Sequence, residues 1–146
     1  MTVIGRVGGR RRLIKEYVLN GGEITSLEAF AEHVSRVLGL DQYWRGNLDA
    51  FNDILRGGFG TPEEGFIIRW VNSDASRVHL GYAETTRQLE RRLESCHPSN
   101  RTAVSRQLRD AMERRGATVF DWLVEIIAVH GPGGEEEEDN VRLLLL

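Results

Sequence analysis

The order of elements along this chain predicts an α/β fold, a small three-stranded parallel sheet packed with about four helices. Three observations carry that prediction. Apolar runs suited to strands lie at 13–19, 66–71 and 123–129, and FIIRWV at 66–71 is nearly continuous, as in a buried parallel strand. Between the runs, apolar residues recur at helical spacing. The resulting order is strand, helix, helix, strand, helix, helix, strand. Strands separated in this way by helices pair in parallel through right-handed crossovers.

In chain order, residues 1–12 form a glycine- and arginine-rich leader without interleaved aromatics, expected to be flexible. The first strand is firmest at Tyr17, Val18 and Leu19, and Asn20-Gly21-Gly22 reads as a turn. Thr25-Ser26-Leu27-Glu28 reads as a capping box before a stripe of Leu27, Phe30, Ala31, Val34, Val37 and Leu38. Gly39 is a left-handed cap, and His33, off the stripe, is expected to be solvated. A second helix follows Asn47, its capping residue. Glycines 57, 58 and 60 end that helix. Their loop runs from helix to strand, the reverse of a nucleotide-binding loop, so nucleotide binding is rejected.

Residues 72–81 read as a polar loop, and 82–94 as a weakly apolar surface helix. Cys96-His97-Pro98 breaks it. Ser99 or Asn100 then caps a helix to about Arg115, with Val104, Leu108, Ala111 and Met112 inward and Gly116 as the stop. Residues 123–129, rich in β-branched side chains, read as the third strand. Residues 131–146 are expected to be a mobile acidic tail. Whether its final leucines dock on an apolar groove is left open by the sequence.

A chain of 146 residues is one domain by default, placed here at 13–130 between the two flexible flanks. The net charge of −3 is exceeded by the acidic run Glu135–Asp139 alone, so the remainder is slightly basic. Cys96 is the single cysteine and forms no internal disulfide. No run is long and apolar enough to span a membrane, and no signal peptide is apparent, so a cytoplasmic location is expected. The histidines are scattered, with no H-x-x-x-H, H-E-x-x-H, C-x-x-C or G-x-S-x-G pattern. Neither an enzyme, nor a cofactor, nor a metal site is expected.

The stretch around which the chain is organised is LDQYWRGNLDAFNDILRGG, residues 40–58. On a helix, Leu48, Phe51, Ile54 and Leu55 share one side, and Asp49, Asn52, Asp53 and Arg56 share the other. Asp49 and Asp53, four apart, are neighbours whose repulsion costs a helix a few tenths of a kcal/mol. Spacing alone leaves two readings, a solvated face or a patch that receives a basic partner. Tyr43 and Trp44 precede it as either core plugs or contacts.

YWRGNLDAFNDIL resembles the signature of the barstar family, intracellular inhibitors of a secreted bacterial guanyl-specific ribonuclease. The matching residues are Tyr43, Trp44, Asn47, Leu48, Asp49, Ala50, Asp53 and Ile54. The upstream YVLNGGEITSLEAFAEHVSRVLGL resembles the family's first strand, turn and first helix. Weaker similarity extends through 66–71 to Val129. The resemblance implies the same three-stranded parallel sheet. It also implies a partner, a secreted microbial ribonuclease bound one to one by a protein that is monomeric when free. Asp53 would be the central anchor in the enzyme's active site, with Asp49, Asn47 and Tyr43 around it.

The wider partner-binding set is Tyr43, Trp44, Arg45, Gly46, Asn47, Asp49, Asn52, Asp53 and Arg56. Departures from the family pattern fall inside it. Asn52 stands where a large aromatic contact is expected, Arg45 replaces a binding-loop glycine, and Arg56 adds a second cation. Such cations would turn preference toward a less basic ribonuclease, since specificity often uses repulsion. Two alternatives accompany this reading: an immunity protein against another toxin, and an RNA-associated protein using Arg10–Arg12. Neither a membrane nor, on the main reading, a nucleic acid is an expected partner.

Overall fold

Alternation along the strands sorts the sheet into two faces. Tyr17 and Leu19 of β2 (Arg10–Asn20) and Phe66, Ile68 and Trp70 of β3 (Phe66–Val71) are buried together, as a period of two requires for one face. The computed structural model, which describes residues 2–7, 10–40 and 44–146, pairs these strands in parallel, Tyr17 opposite Ile68 and Leu19 opposite Trp70. The third parallel strand is β4 (Val141–Leu145), with Val141 opposite Phe66 and Leu143 opposite Ile68. Strand β1 (Thr2–Val7) adds antiparallel to the other side of β2, giving the order β1-β2-β3-β4. The expected three-stranded parallel sheet is therefore present. Six α-helices, rather than four, accompany it among the described residues.

Helix α1 (Leu27–Leu38) buries Leu27, Phe30, Ala31, Val34 and Leu38 against the sheet. Ser26 Oγ accepts the Ala29 N–H at 3.0 Å, and Gly39 ends the helix at φ 67°. The cap is Ser26, one residue after the expected Thr25, so Ala29 stands where a box would need an acceptor, and the Glu28 carboxylate bonds Arg87, Gln88 and Arg91. His33 is buried rather than solvated. Its Nε2 accepts the Asn20 N–H at 2.9 Å, which satisfies the end of β2.

Trp70, fully buried, sits at the centre of the core. Phe30 lies 5.4 Å from its ring and Phe120 5.1 Å. Its indole N–H donates to Ser76 Oγ at 2.9 Å, and that hydroxyl donates to the Gly21 carbonyl at 3.0 Å. Gly21 is obligatory there, because a Cβ would lie 2.1 Å from the Asn72 carbonyl oxygen.

Four stretches differ from expectation. Residues 123–129 are not a strand but most of helix α6 (Val119–Val129). Val119, Phe120, Leu123 and Ile127 are its buried residues, a helical spacing, and Thr118 and Asp121 form a capping box at its start. The third strand comes instead from the end of the chain, where four leucines follow the acidic run. The leader is not a free arm, since Thr2–Val7 pairs with β2, and 72–81 contains helix α3 (Ser73–His79). Met112, expected inward, is 66% exposed.

Helices α4 (Tyr82–Ser95) and α5 (Arg101–Met112) pack together around Leu89, Val104 and Ala111, with Trp122 of α6 against them. Helix α4 also closes the first turns of two other helices. Glu84 accepts the Leu27 N–H of α1 at 2.8 Å, and Thr85 Oγ1 accepts the Val119 N–H of α6 at 2.9 Å. No helix among the described residues is long and apolar enough to cross a membrane.

Candidate functional site

Helix α2 (Leu48–Arg56) is fixed from beneath and capped at its start. Phe51, Ile54 and Leu55 are buried in the core. Asn47 Oδ1 accepts the Asp49 and Ala50 N–H groups at 2.9 and 3.2 Å. The opposite face carries Asp49 and Asp53, both exposed, and Asn52, half-buried.

Trp44, of the two possible roles, occupies a core position. It is 8% exposed, stacks on Phe51 at 5.2 Å and meets the edge of Phe30 at 6.1 Å. Tyr43 lies outside the described residues. Arg45 and Gly46 follow at φ 57° and 77°, and the Asn47 N–H returns to the Trp44 carbonyl at 3.1 Å. Two consecutive positive φ values closed by that bond make a type I′-like turn, in which glycine or asparagine is the comfortable occupant. Arg45 is exposed and has no ion-pair partner among the described residues.

Two clefts flank the outward face of α2. One, about 940 Å³, opens toward α4 and is lined by Arg45, Asn47, Asp49, Arg91 and Arg92. The other, about 710 Å³, opens toward α6 and is lined by Asp49, Asn52, Arg56, Trp122, Glu125 and Glu136. Asp49 stands on the ridge between them and has no ion pair among the described residues.

Asp53 does not stand alone. Arg56 Nη1 donates to its Oδ1 at 2.8 Å. The rest of the guanidinium fork faces Glu136, with Nε donating to Oε1 at 2.8 Å and Nη2 to Oε2 at 3.2 Å. Arg56 is held protonated above the usual arginine range, chiefly by the hydrogen bond to Glu136, with desolvation opposing and Asp53 adding less. Glu136 is correspondingly acidified by Arg56. The Asp53 side chain is still 56% exposed, and its Oδ2 makes no bond among the described residues.

A second link ties α2 to the same segment. His130, fully buried, sits with Nε2 2.6 Å from Asn52 Oδ1 and Nδ1 2.7 Å from Asp139 Oδ2, with Glu136 at 3.7 Å. His130, Glu136 and Asp139 are close enough to share a metal ion. Both Glu136 oxygens are already taken by Arg56, however, and His130 already has a partner at each nitrogen, so the group reads as a hydrogen-bond network. Sequence reasoning placed Asp49, Asn52, Asp53 and Arg56 on one face, as the structure does. It missed Glu136 and His130, which lie about eighty residues away and carry no local signal.

A comparison with curated proteins returns no match. The sequence pattern of the family described as "Barstar (barnase inhibitor)" matches residues 14–109, from β2 into α5. That span includes the capped helix α2 and both its carboxylates, and it covers more than half of the molecule. This chain belongs to the barstar family.

Proposed function

We propose that this protein inhibits a microbial ribonuclease by presenting α2 and the turn before it to the enzyme's active site. One observation carries the reading: a capped helix, packed on the core through Phe51, Ile54 and Leu55, holds Asp49 and Asp53 outward. A ribonuclease site lined with arginine and lysine for the phosphodiester accepts such carboxylates through charge-assisted hydrogen bonds. A rigid helix loses little conformational freedom on docking. The same charges accelerate encounter with a cationic partner. On this reading the protein is a binding protein, not an enzyme, and it engages one ribonuclease molecule per chain with Asn47 and Gly46 at the rim.

The intramolecular Arg56–Asp53 contact bears directly on this mechanism. Both side chains are about half-exposed, and exposed ion pairs are weak and exchange readily. A partner's cation can approach the open Asp53 oxygen without breaking that pair.

The test is stoichiometric titration of a panel of secreted microbial ribonucleases, guanyl-specific ones included. The expected result is a one-to-one end point for at least one enzyme, lost in Asp53→Ala. Inhibition of none, with tight binding to an unrelated toxin, would instead give the protein an immunity role against that toxin.

A further inference from the structure

The segment joining α6 to β4 lies beyond the residues matched to the family, yet it is built against the acidic helix. The Glu136 N–H donates to the Val129 carbonyl at 2.9 Å, and Glu137 Oε2 accepts the Gly133 N–H at 3.0 Å. Gly134 passes so close to α6 that a Cβ would lie 2.3 Å from the Ala128 and Val129 carbonyl oxygens. His130 fastens the start of the segment to Asn52. Glu136 is therefore delivered to Arg56 by a defined backbone path.

Consider the electrostatics of α2 without Glu136. Arg56 would have only Asp53 as its carboxylate, and the two would form a neutral pair in which the fork can take both Asp53 oxygens. With Glu136 present, the Nε–Nη2 edge of the fork is occupied, and Asp53 receives Nη1 alone. The group of three keeps a net negative charge, and one Asp53 oxygen stays open.

We propose that Glu136 is a positioning residue for the ribonuclease-binding face, drawing Arg56 aside so that one Asp53 oxygen stays uncompensated and available to a basic side chain of the enzyme. This rests on the ribonuclease reading. It assigns the acidic run a function in this member of the family: Glu136 offsets a cation that α2 itself carries. Arg56 is then a selectivity element, repelling strongly basic enzymes to the degree that Glu136 fails to hold it.

The experiment is a double-mutant cycle, read as the dissociation constant for a ribonuclease that the wild-type chain inhibits. Glu136→Gln should weaken binding roughly fivefold, the scale of a rim charge. On an Arg56→Gln background the same change should have less than about a twofold effect, because no cation is left to release. Glu138→Gln removes an equal charge from a neighbouring exposed position and should change binding less than about twofold. A thermal melt of each variant reports folding separately. An undiminished Glu136→Gln loss on the Arg56→Gln background overturns the proposal, as does equality with Glu138→Gln. Asp53→Ala in the same series separates the two claims. If it abolishes inhibition while Glu136→Gln does nothing, only the role of Glu136 falls. If it leaves inhibition intact, the ribonuclease reading falls as well.

Discussion

Glu84 of α4 accepts the backbone N–H of Leu27 at 2.8 Å, so a helix fifty-seven residues downstream closes the first turn of α1. Arg87 and Gln88 bond the same carboxylate, which is buried, and Arg87 and Gln88 also reach Glu28. Removing the carboxylate strands the buried Leu27 N–H and leaves Arg87 and Gln88 with Glu28 alone. Glu84→Ala should lower the free energy of unfolding by about 1–3 kcal/mol in a urea titration. A change within about 0.5 kcal/mol would mean that α4 merely rests on α1.

The same network sets an acid limit. Burial acts to raise the Glu28 pKa, but hydrogen bonds from Arg87 and Gln88 and the charge of Arg87 outweigh it and bring it from 4.5 to about 2. The folded state thus binds this proton more weakly than the unfolded chain. Its stabilisation is complete above pH 4.5 and fades as pH falls from there toward 2. Unfolding midpoints measured from pH 6 to 3 should fall more steeply for wild type than for Glu28→Gln. Parallel curves would contradict the assignment.

Trp44 stacks on Phe51, and its indole N–H has no hydrogen-bond partner among the described residues. Its value is therefore in packing. Trp44→Ala should cost about 3–5 kcal/mol, whereas Trp44→Phe keeps the stack and should cost under about 1.5 kcal/mol. On the proposed function, Trp44→Phe inhibits like wild type. A selective loss of inhibition in a stable Trp44→Phe protein would make this residue a contact after all.

Arg45 occupies the left-handed region at φ 57°, a conformation that costs a side chain about 1–2 kcal/mol. Glycine relieves that strain but loses about 0.5–1 kcal/mol to its greater freedom when unfolded. Arg45→Gly should thus stabilise the protein by about 0.5–1 kcal/mol, readable by thermal melting. It should also raise affinity for the more basic ribonucleases of a panel. Destabilisation would show that the arginine side chain has an interaction that compensates its backbone.

Much of this architecture can be read locally. Gly39 announces the end of α1, Asn47 the start of α2, and FIIRWV the central strand, each through residues adjacent in sequence. What escapes local reading depends on distant partners. Leu123, Ile126, Ile127 and Val129 look like a strand until Thr118 and Asp121 are seen to cap a helix, a signal present in the sequence but outvoted by β-branching. Strand β4 owes its existence to register with Phe66 and Ile68, which an acidic run followed by leucines does not disclose. The carboxylates of α2 were legible from their spacing of four. The Arg56–Glu136 contact, which sets how much charge they present, was not, because nothing in either neighbourhood names the other.

On the proposed function, Asp53 is the anchor by which this protein captures a ribonuclease. The most direct measurement is the dissociation constant of Asp53→Ala for an inhibited ribonuclease, beside Glu90→Ala, which removes an exposed acid from α4. Asp53→Ala should lose at least about thirtyfold, as for an interface hot spot, with Glu90→Ala within about twofold of wild type. Equal constants for the two variants would contradict it.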